Sequence, residues 1–129
     1  RKGWNISQFS VLRPLSELLI EKTLVERYPD LQRHQTSCHA THKEGERVYP
    51  CGRCEKCRRI VAMLKACGAD PVECGYTPSQ IQDCLKKLPQ KSVSQEAAGA
   101  RHLFFMLAQK RLIDANELPP KAVKAHPEI

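Results

Sequence analysis

Nowhere in its 129 residues does the chain carry an apolar run approaching the ~20 residues of a membrane-spanning helix, so no helical membrane span is expected. No charged stretch followed by an apolar one opens it, and the expectation is a chain that stays in the cytoplasm. There is no internal repeat and no low-complexity tract. Aromatic residues are only 5%, and none lies within the densest arginine–lysine cluster, where a base-stacking platform would need them. The six glycines are all isolated. A phosphate cradle needs several adjacent backbone N–H groups at a helix start, an approach that glycine normally permits, so this chain alone should not hydrolyse ATP. H-E-x-x-H and G-x-S-x-G are missing, and carboxylates do not pair with histidines at helical spacing. No catalytic motif is legible.

What the chain has in abundance is positive charge and cysteine. Lys and Arg number 21 against 14 Asp and Glu, a formal charge of +7 with a pI near 9.2. The 41% hydrophobic and 27% charged content excludes a fully disordered chain. The length suits one domain, able to bury about two-thirds of its unfolded surface, or one lobe of a larger one. Arg1 rather than Met stands first, and a piece of a longer protein is expected.

Helical signals recur along the sequence. Pro14 stands where a helix often begins; Leu15, Leu18, Leu19, Lys22, Val25 and Tyr28 follow at helical spacing, and Pro29 stops them. Residues 30–50 are polar and read as a loop. Cys57, Ile60, Val61, Leu64 and Cys67 share one face of a second helix that Gly68 ends. Thr77, Pro78 and Gln80 open a third with a capping box, Ile81, Cys84, Leu85 and Leu88 are its stripe, and Pro89 ends it. Ser92 and Gln95 offer a capping box for a fourth, of roughly twenty residues, with its stripe running from Val93 to Arg111. Trp4 to Leu12 suit a short strand, and residues 119–129 a loosely held tail. The expected architecture is mainly α: about four helices around a four-cysteine zinc loop, a single domain over 1–118 with the loop at 30–57.

Seven cysteines, an odd number, cannot all pair within the chain, and without a leader they suggest a reducing compartment and a metal cluster. Cys51-Gly52-Arg53-Cys54-Glu55-Lys56-Cys57 is a C-x2-C-x2-C block. A C-x2-C step folds back so that two sulfurs face one centre, and Gly52 relieves that tight turn. Cys54 and Cys57 share a face at a helix start, whose partial positive charge favours thiolates. Cys38 closes the loop as the fourth ligand. A structural zinc site is the favoured reading. An iron–sulfur cluster, a redox C-x-x-C pair and four plain buried thiols are its competitors. His39 or His42 would replace a cysteine in a mixed site. His42-Lys43-Glu44 with Pro50-Cys51-Gly52-Arg53-Cys54 also echoes a zinc deaminase, but the two halves lie too close together. Cys67 and Cys84 read as small core residues, and Cys74 as a free thiol. His34 and His102 have no partner pattern.

Ser37-Cys38, a loop, and then Cys51-Gly52-Arg53-Cys54-Glu55-Lys56-Cys57-Arg58-Arg59 resemble the zinc-binding segment of the 7-cyano-7-deazaguanine synthases, within the PP-loop ATP pyrophosphatase superfamily. The step Cys54-Glu55-Lys56-Cys57-Arg58 is also similar to the C-terminal part of the PP-loop-like family that includes a muramyl-peptide glutamate epimerase. Arg13-Pro14-Leu15-Ser16-Glu17 fits the stretch that precedes Ser-Cys in both, so the resemblance covers roughly residues 9–66. The superfamily's Ser-Gly-Gly-x-Asp-Ser nucleotide signature is missing. The resemblance therefore implies the C-terminal zinc-bearing part of a larger α/β enzyme, non-catalytic alone. Its partners would be the N-terminal nucleotide-binding domain of the same protein and a second copy in a homodimer. A zinc-dependent nucleic-acid-binding module is the alternative, supported by the basic run at 53–59.

Overall fold

The computed structural model describes residues 7, 9–90, 97–114 and 116. Among them the chain is mainly helical, with five α-helices and a two-stranded sheet. Helix α1 spans Glu17–Arg27. It starts at Ser16, not at Pro14, because the Ser16 hydroxyl accepts the Leu19 N–H at 3.1 Å and satisfies one of the orphan donors of the first turn. Pro14 belongs instead to a turn over residues 11–14, closed by Leu15 N–H to Leu12 O at 2.9 Å. The expected N-terminal strand therefore does not reach residues 9–12; its remainder lies mostly outside the described residues.

Pro29 does more than stop α1. It opens the short helix α2, Pro29–Gln32, where its missing N–H is no loss. The stretch read as a loop also contains a hairpin, β1 His42–Glu44 and β2 Arg47–Tyr49. They pair antiparallel with His42 opposite Tyr49, Lys43 opposite Val48 and Glu44 opposite Arg47. Its three-residue strands carry no apolar alternation, so periodicity gives no sign of it.

Helix α3, Glu55–Cys67, is the axis of the molecule and packs against α1 and the later helices. Gly68 ends it in the left-handed region at φ 89°, where a Cβ would be strained. A 3₁₀ turn, Pro71–Cys74, follows, capped by Asp70. Helix α4, Pro78–Lys87, opens with the expected capping box: Thr77 Oγ1 accepts from Gln80 N–H at 3.2 Å, and Gln80 Oε1 accepts from Thr77 N–H at 2.9 Å. Helix α5 is described over Ala97–Gln109; the expected start, with the capping box at Ser92 and Gln95, lies outside the described residues, as does the tail at 119–129. Leu18, Val61, Met63, Leu64, Leu88, Leu103 and Leu107 are fully buried in one cluster. Each such side chain contributes about 1.5–3 kcal/mol. This core fixes α3, and α3 in turn fixes the cysteine block at its N-terminus. No described helix is long and apolar enough to cross a membrane.

Candidate metal centre

The structure brings Cys38, Cys51, Cys54 and Cys57 together, with all four sulfurs within 4.8 Å of one another. Cys57 is fully buried in the first turn of α3, while the other three are half-buried. Sγ of Cys38 lies 3.8 Å from that of Cys54, Cys51 lies 3.8 Å from Cys57, and Cys54 lies 3.4 Å from Cys57. Such a set of thiols could hold a metal ion.

Local backbone geometry explains the convergence. Cys54 is the N-cap of α3, and its sulfur accepts the Cys57 N–H at 3.4 Å. The Cys38 sulfur accepts the N–H of Ala40 and the N–H of Cys51, each at 3.3 Å. The Cys51 sulfur accepts from the N–H groups of Arg53 and Cys54. One turn is thus used twice, after Cys38 and after Cys51, with the N–H two residues on aimed at the sulfur. Gly52, at φ +67°, permits the second turn; a Cβ there would lie 2.3 Å from Gln80 Cδ, inside the α4 capping box.

These contacts favour negative sulfur. Burial opposes ionisation of Cys51, but the N–H groups of Arg53 and Cys54 and the Cys38 thiol outweigh it and bring Cys51 down to about 6. Cys38 and Cys57 move upward, chiefly through burial. The buried Tyr76 hydroxyl donates to Cys57 Sγ, and burial pushes Tyr76 itself well above the usual phenol range. Neither Tyr76 nor the turn after Cys38 was legible in the sequence; the tyrosine lies 19 residues beyond its sulfur, counting from 57 to 76, and has no motif.

The histidines stay apart. His42 pairs with Glu44 at 3.3 Å and stacks on Tyr49 with ring centroids 5.8 Å apart. Neither it nor the exposed His39 belongs to the four-cysteine group, so the mixed and deaminase-like sites are not formed. Buried His102 meets the edge of Phe105. Cys84 is buried and donates to Gly52 O at 3.2 Å, tying α4 to the cysteine turn. Cys74 is buried as well, accepting from Gln32 Nε2 at 2.9 Å and donating to Gln32 O at 3.3 Å. Cys67 is half-buried at the end of α3. No disulfide joins any of the seven.

Three of the basic residues near the cluster are occupied structurally. Arg58, almost wholly buried, donates from Nη1 to Arg53 O at 3.2 Å. Arg59 pairs with Glu17 at 3.2 Å and Glu55 at 3.7 Å. Arg47 donates to Glu73 O at 2.8 Å and lies over the Tyr49 ring. Comparison with family models, curated proteins and solved structures finds no match to this chain.

Proposed function

We propose that the chain is a structural zinc-binding domain, in which Cys38, Cys51, Cys54 and Cys57 hold one Zn²⁺ as thiolates. The observation that carries this reading is the sulfur spacing. Four sulfurs about 2.3 Å from one ion stand about 3.8 Å apart along each tetrahedral edge. The edges Cys38–Cys54 and Cys51–Cys57 share no atom, so they are opposite edges, and both measure 3.8 Å. An iron–sulfur cluster spreads its cysteines over several irons and needs a wider cage. When bound, the ion would cross-link the loop bearing Cys38, the turn bearing Cys51 and the start of α3. The N–H donors aimed at the sulfurs, together with Tyr76, would offset part of the charge of −2 on such a centre. The net charge would then fall from +7 to about +5.

Elemental analysis of the purified chain tests this. One zinc per chain is expected; iron with acid-labile sulfide, or no metal, overturns it.

The role is structural, and the sequence resemblance makes it the C-terminal part of a PP-loop-type ATP-dependent enzyme. Residues preceding Arg1 with a Ser-Gly-Gly-x-Asp-Ser motif, and ATP binding by that longer protein but not by this chain, are the expected findings. A longer protein without that signature overturns the assignment. The nucleic-acid reading loses part of its basis, because Arg47, Arg58 and Arg59 are engaged within the molecule. A salt titration against RNA and duplex DNA checks it: binding near ~0.1 M salt that weakens steeply as salt rises would restore it.

A further inference from the structure

Away from the cluster, one buried polar pair among the described residues carries two acceptors that no donor meets. Glu21, on α1, is 3% exposed. Its Oε2 accepts a hydrogen bond from Gln35 Nε2 at 2.8 Å. Among the described residues its buried Oε1 has no partner, and neither has the buried Oε1 of Gln35. Two orphaned acceptors therefore sit on the two side chains that already share a bond. Both are acceptors only if Glu21 is ionised; a carboxylic acid carries a donor. Leaving a buried acceptor unmatched is costly, so folded proteins rarely leave two on one pair.

We propose that Glu21 is held as the neutral acid and forms a two-bond carboxyl–carboxamide pair with Gln35, the Glu21 Oε1–H donating to Gln35 Oε1, and that this pair is a proton-dependent fastening of the metal loop to α1. One proton satisfies both orphans at once. The surroundings favour it. Among the described residues no lysine or arginine forms an ion pair with Glu21. Glu17 lies on the same helix and adds like charge. The groups that sense Glu21 from other elements are thiols: Cys67 at the end of α3 and Cys74 in the 3₁₀ turn. Lys22 and Lys110 act on Cys67, as does Glu26. Burial accordingly moves the Glu21 carboxyl upward from its ordinary value, against the Gln35 bond and with the Glu17 charge. Gln35 stands three residues before Cys38, in the segment that joins α2 to the cluster. Losing the proton would leave one bond where there were two, with two buried acceptors unmatched, and loosen that segment at its α1 end.

The sign follows from the raised carboxyl. The fold keeps a proton that the unfolded chain has lost. Stability from the pair is therefore complete below the ordinary carboxylate value of 4.5 and falls as pH rises to the folded value, by up to about tenfold in the folding constant per pH unit. Glu21→Gln supplies an amide that can donate to Gln35 Oε1 and accept from Gln35 Nε2 without titrating.

The test is to follow the ¹³C carboxyl resonance of Glu21 in the full metal-loaded chain from pH 4 to 8 (roughly the span of a raised carboxylate). Urea unfolding of wild type, Glu21→Gln and Gln35→Ala over the same range accompanies it. The expected result is a Glu21 carboxyl titrating clearly above 4.5, with the ratio of folding constants for Glu21→Gln over wild type rising with pH. In Gln35→Ala that carboxyl should shift, because its donor and acceptor are gone. A Glu21 resonance titrating at or below 4.5 overturns the proposal and points to a buried water as the missing donor. Parallel pH profiles for wild type and Glu21→Gln overturn it too. If Glu21→Gln fails to fold, the resonance decides alone. The pair is read independently of the metal content of the same sample, so a failed zinc assignment and a failed pair are separate results.

Discussion

Around the start of α3, four cysteines crowd within 4.8 Å and their sulfurs receive backbone N–H groups from Ala40, Cys51, Arg53, Cys54 and Cys57. Elsewhere Cys74 and Cys84 stand singly, and their thiols donate to the carbonyls of Gln32 and Gly52. Cys84 thus meets a carbonyl where the cluster sulfurs meet N–H groups, and Cys74 meets one of each, the Gln32 amide and the Gln32 carbonyl. Donors aimed at sulfur favour the thiolate, whereas a carbonyl beside it favours the S–H. Burial pushes Cys67, Cys74 and Cys84 each up to about 11. That direction favours the thiol over the thiolate at neutral pH and slows alkylation at all three. Burial raises Cys38 and Cys57 as well, so what sets the cluster apart is the convergence of four sulfurs on one point, where a metal ion could displace their protons.

The largest test of that contrast uses the double duty of Cys54. It is both a cluster member and the N-cap of α3, and serine is the better cap. If the cluster were four plain thiols, Cys54→Ser should be neutral or stabilising. If it holds a metal, the variant loses a ligand. Apparent zinc affinities of about 10–16 kcal/mol in small structural sites rival the whole ~5–15 kcal/mol stability of a domain. Cys54→Ser should unfold or aggregate at 25 °C (the reference temperature of those energies), read by far-ultraviolet circular dichroism beside metal content. A chelator should do the same to the wild type. A soluble, helical, metal-free Ser variant would break the contrast.

A smaller effect is expected where the two regions meet. Gly52→Ala places a side chain at φ +67° and drives its Cβ toward Gln80 Cδ. The left-handed backbone alone costs about 1–3 kcal/mol. Gln80 is flexible, but moving it opens the capping box of α4. The urea midpoint should fall while one metal per chain is retained. A variant as stable as wild type would mean that the turn has other conformations available.

How much of this could be read beforehand depends on the kind of signal. Helices α3 and α4 announce themselves, because a 3.6-residue apolar stripe, a capping box and a terminal glycine are local patterns. The Cys51–Cys54–Cys57 block does so too, since its spacing is set by local turn geometry, while Cys38, 13 residues before Cys51, is brought to it by the fold. The hairpin at 42–49 was hidden by its charged, exposed strands, and α2 by a proline that reads as a terminator. The Tyr76–Cys57 contact and the Glu21–Gln35 pair are long-range accidents of packing around α3, and no spacing rule encodes them. Ser16 overrode Pro14 because one side-chain oxygen can satisfy an orphan N–H that a proline ring cannot.

Among the lone thiols, Cys84→Ala should come next in size. It removes the S–H bond to Gly52 O and leaves a small void at a buried site, an expected loss of about 1 kcal/mol with the metal retained. Cys74→Ser is the smallest and the most discriminating. A hydroxyl at that position can still accept from Gln32 Nε2 and donate to Gln32 O, the two contacts the thiol makes. Its change in stability should stay within about 1 kcal/mol, and the metal content should not move. Cys54→Ser and Cys74→Ser exchange the same atom for the same atom, so any difference between them belongs to the surroundings. If Cys74→Ser also released the metal, the single thiols would be part of the centre after all, and the convergence of four sulfurs on one point would no longer mark which cysteines bind.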